Sequence, residues 1–250
     1  MESQNKINKN EKQIYGQSPN EEYYTELSQQ LKMNTTKLKN NLKKINISQY
    51  DELIILIESG SLAPPHKMHI QILEATRKQI ENNPKKKVIA AYLVPSSDGY
   101  VSYKLKNDFI PLKHRNNMCQ LLCKNSDWID VLDWGIAKSR TIKKLLDIKI
   151  KNEFNIIRIK SLLVFGIDYY LRAKIESGEG YVCVYRPGYE YEKFKNSKNN
   201  DNYIFVENKG EDISSTKIRQ AIRGNNMEII NGMTSNDVVE YIKKNNIFEK

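Results

Sequence analysis

The alternation of apolar and polar positions divides the chain into short apolar runs and longer segments with helical spacing. Mostly apolar runs of strand length are typical of buried parallel strands, and they occupy residues 53–58, 87–95, 127–133, 161–166, 181–186 and 203–208. Helical patterns cover 67–81, 112–124, 141–150, 215–223 and 236–245, a further helix opens near Asp168, and 96–108 and 190–202 are predicted loops. Strands that alternate with helices predict a doubly wound, Rossmann-like parallel α/β sheet with helices on both faces.

The residues before the first predicted strand, 1–50, form an N-terminal extension to a main domain at 51–250. Residues 1–20 are polar and rich in Asn and Lys, which predicts disorder. From residue 21 to about residue 45 the apolar spacing predicts one amphipathic helix. This helix either braces the main domain or mediates dimerisation. The polar interruption at 34–36 shortens the apolar stripe and therefore favours bracing.

Composition excludes several classes of protein. No apolar run reaches the roughly 20 residues of a membrane span, and the N-terminus lacks a secretory segment, which predicts an intracellular, soluble protein of the cytoplasm or nucleus. Three cysteines are too few for a disulfide framework, and Cys119 and Cys123, four residues apart on a predicted helix, are interpreted as core rather than as metal ligands. The net charge of +10 attracts polyanions in general, without choosing between nucleic acid, acidic membranes and phosphorylated small molecules.

The loop after the first predicted strand carries the first chemical motif, ESGSLAPPHKMH at 58–69. Parallel sheets bind ligands beyond the carboxyl ends of their strands. Gly60 and Ser61 let the backbone turn tightly and approach a phosphate, and His66 and His69 share a face in the first turn of the next helix, where amide donors favour an anion. Simple capping with surface exposure is the alternative. A zinc site is disfavoured because no third ligand is in sight.

The second motif is DISSTKIRQAI at 212–222, which follows the last predicted strand. Ser214 can cap the helix, Ser215 and Thr216 place hydroxyls in its first turn, and Arg219 follows one turn later. Hydroxyls, amides and a guanidinium at a helix start can hold a polyphosphate, although an ordinary capped basic helix has the same pattern. Both motifs together, each after a predicted strand, favour a nucleotide ligand.

These motifs resemble those of a known superfamily. GSLAPPHKMH is similar to the GSFxPxTxxH/HxGH loop of the nucleotidyltransferases, and ISSTKIR to their ISSTxxR signature. Further segments resemble the nicotinate/nicotinamide mononucleotide adenylyltransferases, namely YLVPSSDGYVSYK, FIPLKHRNNM, NSDWIDVLDW, LLVFGID and YVCVYRPG. The similarity runs from about Leu53 to Phe248. It implies transfer of AMP from ATP to nicotinate mononucleotide, or also nicotinamide mononucleotide, in NAD biosynthesis, with Mg²⁺ accompanying ATP and a homo-oligomer left open.

The resemblance also implies roles for individual residues. The catalytic set comprises His69 at the α-phosphate, His66 and Arg219; ATP would contact Gly60, Ser61, Leu62, Gly166, Asp168, Arg186, Ser215 and Thr216; the mononucleotide would contact Tyr100, Lys104, Trp134, Arg140 and Thr141. His114 would be structural. The attacking phosphomonoester is already largely dianionic at pH 7, so catalysis reduces to positioning and electrostatics without a strong general base.

The sequence departs from the family where the pyridine ring would stack. The tryptophan that animal-type relatives carry just before the position of Thr141 is absent, and the only tryptophans are Trp128 and Trp134, so stacking falls to Trp134 or to Tyr169 or Tyr170. SRT at 139–141 resembles the bacterial SYT pattern, in which a helix start receives the nicotinate carboxylate. This predicts a preference for the acid over the amide, helped by amide donors and Arg140.

Two alternatives remain at the level of sequence. The first keeps the superfamily and changes the acceptor or donor, as in phosphopantetheine adenylyltransferase or a CTP-using cytidylyltransferase. The second is a basic nucleic-acid-binding protein, which the charge of +10 permits, but Tyr and Lys show no RNP-like or helix-turn-helix arrangement. Nucleic acid is therefore not predicted as the main partner.

Overall fold

The computed structural model describes residues 20–156, 158–167, 169, 180–185 and 203–248. Its strands are β1 (Glu52–Gly60), β2 (Lys86–Pro95), β3 (Ile129–Val131), β4 (Ile159–Gly166), β5 (Tyr181–Tyr185) and β6 (Tyr203–Glu207). Its helices are α1 (Glu21–Gln30), α2 (Thr36–Lys43), α3 (Lys67–Glu81), α4 (Asp98–Leu105), α5 (Leu112–Cys123), α6 (Ser139–Phe154), α7 (Ser215–Arg223), α8 (Met227–Met233) and α9 (Asn236–Lys244). None of the helices in these ranges is long and apolar enough to cross a membrane.

The strands form one parallel sheet in the order β3-β2-β1-β4-β5-β6. From β1 the chain runs outward to β2 and β3, and it then returns to place β4 on the other side of β1. At such a switch point the connections leave in opposite directions, so a crevice opens beyond the carboxyl ends of the two central strands. The doubly wound parallel sheet predicted from the sequence is therefore confirmed.

Two apolar clusters cover the two faces of the sheet. Because side chains alternate along a strand, Leu53, Ile55 and Ile57 of β1 pack with α1, α2 and α6. Ile54 and Leu56 pack on the opposite face with α3 and α5. Helices thus lie on both faces, as predicted. The loop after β1 connects to α3 at the edge of the sheet where the crevice opens.

Residues 20–50, the described part of the N-terminal extension, contain two α-helices, so the prediction of one continuous helix from residue 21 to about residue 45 is wrong. Helix α1 gives way at Leu31 to extended backbone, and the Asn34 side chain accepts a hydrogen bond from the Thr36 amide at 3.1 Å. Asn and Thr side chains offer the backbone such local alternatives to a helix. The bracing interpretation is confirmed, because Leu27 and Leu38 are buried in the same cluster as β1.

Two further helices were not predicted. The segment expected to be a loop at 96–108 contains α4, whose start is capped by Ser97, where the side chain accepts a hydrogen bond from the Tyr100 amide at 3.4 Å. Helix α8 also went unpredicted. Cys119 and Cys123 are free and buried, which confirms their place in the core. The disordered N-terminus, the loop at 190–202 and the helix opening near Asp168 were predicted in segments that lie wholly or largely outside the described residues.

Candidate active site

The carboxyl ends of β1 and β4 open onto a cavity of about 850 Å³ at the switch point. Residues from both motifs line it, together with the start of α6 and part of α4. Of the residues singled out from the sequence, those that line the cavity are Gly60, Ser61, Leu62, His69, Tyr100, Lys104, Arg140, Gly166, Tyr169, Ser215, Thr216 and Arg219. The fold therefore brings together two motifs that lie at opposite ends of the main domain.

Six predicted residues are placed differently or lie outside the described residues. Trp134 and Thr141 do not line the cavity, and His66 lies just behind it. His66 is the residue before α3 rather than part of its first turn, because its backbone is extended. Its ring stacks on that of His69 at a centroid distance of 3.9 Å. Asp168, Tyr170 and Arg186 are not among the described residues.

The structure corrects the sequence-based assignment of Trp134 to the mononucleotide site. Its side chain is 2% exposed and belongs to the core between the sheet and the N-terminal helices. The indole Nε1 donates a hydrogen bond to the Lys32 carbonyl at 2.7 Å. The N-terminal extension thus holds this ring away from the cavity, and the aromatic rings that do line it include Tyr100, Phe165 and Tyr169.

The first turn of α3 could provide one anion-binding element. The helix begins directly behind the loop after β1, and no acidic side chain lies in its first turn to neutralise the positive end of its dipole. At Gly60 an added Cβ would meet no atom within 4 Å, so the backbone is open to the cavity. A phosphate could approach this backbone closely.

His69 is held by a residue that the sequence analysis did not single out. Its Nδ1 is in hydrogen-bond contact with Glu58 Oε1, at the end of β1. Burial lowers the pKa of His69 to about 3 and raises the pKa of Glu58 well above its ordinary value. Within the described part of the chain, His69 Nε2 and Glu58 Oε2 are buried and make no hydrogen bond. In the sequence, the signal for Glu58 was a charged residue two positions after Leu56, on the strand face that also carries Ile54 and Leu56.

The start of α7 is fastened to the loop after β1. Ser215 Oγ donates to the Pro64 carbonyl at 2.8 Å, and Arg219 Nη1 donates to the Ala63 carbonyl at 2.9 Å. Arg219 Nε also donates to Asp108 at 2.9 Å, and Nη2 donates to the Thr216 hydroxyl at 3.2 Å. These contacts place the N-termini of α3 and α7 side by side at one cavity.

Arg115 is a second residue that the sequence analysis missed, and it also holds the loop after β1. Arg115 is 0% exposed. It donates to the carbonyls of Ile110 at 2.8 Å and Ser61 at 3.1 Å, and to Asp98 at 2.9 Å. Arg115 therefore couples the phosphate-facing loop to the start of α4. Its neighbour His114 contacts the Tyr241 hydroxyl at 3.0 Å and does not line the cavity.

The start of α6 also lines the cavity. Ser139 Oγ lies 2.6 Å from Ser59 Oγ, which ties the helix to the end of β1. Lys138 precedes the helix and makes no side-chain cap, and Arg140 lines the cavity beside it. Among the described lining residues Lys104, Lys138, Arg140 and Arg219 are basic and only Glu58 is acidic, so the cavity attracts anions.

A family model for cytidylyltransferase-like proteins matches residues 58–221, which is well over half of the chain. The chain belongs to the cytidylyltransferase-like family. The matched segment begins at Glu58 and ends within α7, so this family domain contains the starts of α3 and α7 and the cavity that they border.

Individual relatives cover most of the chain. A nicotinamide/nicotinic acid mononucleotide adenylyltransferase of Arabidopsis thaliana is 25% identical over 221 residues, which cover 78% of this chain and 90% of the relative. Nicotinamide/nicotinic acid mononucleotide adenylyltransferase 1 of Bos taurus is 24% identical over 254 residues, covering 78% and 88%. The solved structure of Plasmodium falciparum nicotinic acid mononucleotide adenylyltransferase complexed with APC has a TM-score of 0.57 at 17% identity, covering 78% of this chain and 97% of that one. This last likeness concerns the fold.

Proposed function

We propose that this protein transfers AMP from ATP to nicotinate mononucleotide, and less efficiently to nicotinamide mononucleotide, giving deamido-NAD or NAD and pyrophosphate. The observation that carries the proposal is the convergence of two helix N-termini, of α3 and α7, on one basic cavity that continues to the start of α6. The adenylyltransferases of Arabidopsis thaliana and Bos taurus to which the chain is similar support the same reaction.

The chemistry requires alignment more than acid–base catalysis. An oxygen of the acceptor's phosphate forms a bond to the α-phosphorus of ATP, the bond from that phosphorus to the bridging oxygen breaks, and pyrophosphate leaves with the electron pair. His69 would stabilise charge on the α-phosphate, with His66 behind it. Ser215, Thr216 and Arg219 would hold the β- and γ-phosphates, because hydroxyls, amides and a guanidinium are suited to polyphosphate.

Mg²⁺ would enter this site together with ATP. Among the described residues no group of three His, Cys, Asp or Glu side chains could hold a metal ion. The one described carboxylate that lines the cavity, Glu58, already contacts His69. A Mg²⁺ held mainly by phosphate oxygens fits this donor set, since Mg²⁺ commonly binds through few protein ligands and substrate phosphates. When bound, it would neutralise charge on the leaving pyrophosphate.

The start of α6 favours a pyridine ring that carries a carboxylate. The amides of its first turn and the side chains of Lys138 and Arg140 present positive charge to the cavity. A nicotinate carboxylate would gain from these groups, and a carboxamide would gain less. Tyr100 and Tyr169, 43% and 45% exposed, offer ring faces for stacking in place of Trp134.

Pyrophosphate release from ATP and Mg²⁺, with either mononucleotide as acceptor, tests the reaction. We expect turnover by the wild type and a loss of about 100-fold or more in His69→Ala, because a group that stabilises transition-state charge is removed. The matched control is His114→Ala, which removes the histidine outside the cavity and should retain turnover.

The same assay tests the acceptor. We expect kcat/KM to be about tenfold or more higher for the acid, as one charge-assisted interaction is worth roughly that factor. Equal kcat/KM values for both acceptors would contradict the role of the α6 start. Turnover with neither mononucleotide, but with phosphopantetheine as acceptor or with CTP as donor, would assign a different reaction within the family.

A further inference from the structure

Glu58 occupies a position where the pattern of its strand calls for an apolar side chain. It follows Ile54 and Leu56 on the face of β1 that packs against α3, and it is 6% exposed. A buried carboxyl group is costly to stability unless its hydrogen bonds are satisfied. Glu58 Oε2 nonetheless has no hydrogen-bond partner among the described residues. The role of this carboxyl group therefore depends on the contact that Oε1 makes.

That other oxygen determines which nitrogen of His69 is available to a ligand. Oε1 contacts Nδ1, so Nε2 is the ring nitrogen left for a group bound in the cavity. The His66 ring stacks on the same imidazole with 23° between the ring planes. The stacked His66 ring therefore fixes the plane of the imidazole, and Glu58 fixes which ring nitrogen is left for the cavity.

The contact and its burial together determine where the protons of the pair lie. Burial raises the pKa of Glu58 and lowers that of His69, so the pair holds two protons: one shared between Glu58 Oε1 and His69 Nδ1, and the other on Nε2. Whether the shared proton is closer to the carboxyl or to the ring, Nε2 carries an N–H. Without Glu58, neutral His69 could place its proton on Nδ1 and turn a lone pair towards a phosphate oxygen, which would be repulsive.

We propose that Glu58 is a positioning residue, which holds His69 with its Nε2–H directed at the α-phosphate. As negative charge develops on the α-phosphate, Glu58 transfers the shared proton to His69 Nδ1. The proton moves from Glu58 Oε1 to His69 Nδ1, leaving a carboxylate and an imidazolium, and it returns when pyrophosphate has left. The imidazolium is adjacent to the phosphate and the carboxylate lies behind it, so the charge separation stabilises the transition state. The proposal rests on the adenylyl transfer proposed above.

Other titratable and charged groups surround the Glu58–His69 pair. Cys119 and Cys123 of α5 interact electrostatically with Glu58, but burial raises the pKa of both thiols, that of Cys123 to about 12, so both stay neutral. His66 stacks on His69 from the residue before α3. The described charged and titratable side chains that face the pair across the cavity are Tyr100, Lys104, Lys138, Arg140, Tyr169, Tyr181 and Arg219.

The first test is spectroscopic and needs no acceptor. In ¹⁵N NMR of the wild type at pH 7 with a non-hydrolysable ATP analogue, we expect His69 to carry its proton on Nε2. A His69 protonated on Nδ1 alone would overturn the proposal. Binding of Mg²⁺ without nucleotide to the wild type, and not to Glu58→Gln, would overturn it as well, because Glu58 would then be a metal ligand.

The second test is kinetic. Glu58→Gln keeps the shape of the side chain but cannot release a proton, so we expect kcat to fall about 10- to 100-fold, with KM for ATP changed less than about threefold. Wild-type kcat should be level from pH 6 to 8.5, whereas kcat of Glu58→Gln should rise as the pH falls, because His69 must then take its proton from solvent. An unchanged kcat and pH profile in Glu58→Gln would refute the proposal.

Glu74→Gln is the matched control. Glu74 lies on α3, accepts a hydrogen bond from Trp128 Nε1 at 2.9 Å and does not line the cavity, so this variant should retain the wild-type kcat and pH profile. A wild type that binds the ATP analogue with Nε2 protonated but adenylylates neither mononucleotide would contradict the proposed function. The outcome for Glu58 would still be read from the NMR spectrum.

Discussion

Gly60 and Gly180 show that two glycines of one sheet serve different purposes. At Gly60, φ is not positive and an added Cβ would meet no atom within 4 Å, so the turn itself does not require glycine. Gly180 has a φ of +108° and an added Cβ there would lie 2.8 Å from Lys143 Cε. The first position is therefore open towards the cavity, and the second is constrained by the fold.

Replacing each glycine by alanine should separate these two purposes. We expect Gly60→Ala to change the free energy of unfolding by less than about 1 kcal/mol and to raise KM for ATP at least about tenfold, because the methyl group occupies the space through which a phosphate approaches the backbone. Gly180→Ala should destabilise the fold by about 1–3 kcal/mol without a change in KM. Denaturant unfolding and initial-rate kinetics measure both, and an unchanged KM in Gly60→Ala would contradict the phosphate path.

At the scale of elements, α1 and α2 complete the core on one face of the sheet. Leu27 and Leu38 are buried beside β1. The Lys37 ammonium donates to the Ile129 carbonyl at 2.6 Å, and the Asn41 amide donates to the Ile89 carbonyl at 3.1 Å. The extension therefore packs against β2 and β3, and its connection between α1 and α2 also anchors the indole of Trp134.

This anchoring makes Trp134 a structural residue, which a conservative substitution can test. Trp134→Phe should lower the free energy of unfolding by about 0.5–1.5 kcal/mol through loss of the hydrogen bond to Lys32, and it should leave KM for the mononucleotide within about twofold. Tyr100→Ala, in the cavity wall, should raise that KM. The comparison uses initial rates and thermal unfolding, and a large increase of KM in Trp134→Phe would restore its role in stacking.

At the scale of the whole molecule, the Glu58–His69 pair links global stability to pH. The ordinary pKa values are 4.5 for Glu58 and 6.5 for His69, whereas burial raises the pKa of Glu58 and lowers that of His69 to about 3. Above about pH 6.5 the unfolded pair has released its protons, so stability falls as pH rises until the folded pair also releases the proton of Glu58. Below about pH 4.5 the unfolded pair binds one proton more than the folded pair, so stability falls as pH falls.

Urea unfolding between pH 7 and 9 tests this linkage. We expect the wild type to lose stability with a slope of up to about 1.4 kcal/mol per pH unit from this pair. Glu58→Gln should be almost level over that range, because neither the glutamine nor His69 then titrates differently in the two states. Glu74→Gln should keep the wild-type slope; equal slopes in all three proteins would show that Glu58 is ionised in the folded state.

Local patterns were sufficient for the parallel sheet and for the starts of α3 and α7. The bounds of α3 and α7 agree with the predicted 67–81 and 215–223, because apolar spacing and a capping serine act within a few residues of the chain. The parallel direction of the strands also followed, since strands that alternate with helices favour right-handed crossovers, whereas the strand order came only from the structure. Local signals in short polar segments are weaker, which is why α4 and α8 were missed.

Only the tertiary structure decided which side chains meet. Nothing near Trp134 in the sequence indicates that Lys32 would hold its indole away from the cavity, because that contact joins residues about 100 positions apart. The same holds for Arg219, whose guanidinium contacts Ala63, and for Arg115, which contacts Ser61. A motif can single out His69 as a candidate phosphate ligand, but the burial that shifts the pKa values of Glu58 and His69 exists only once α3 has packed on β1.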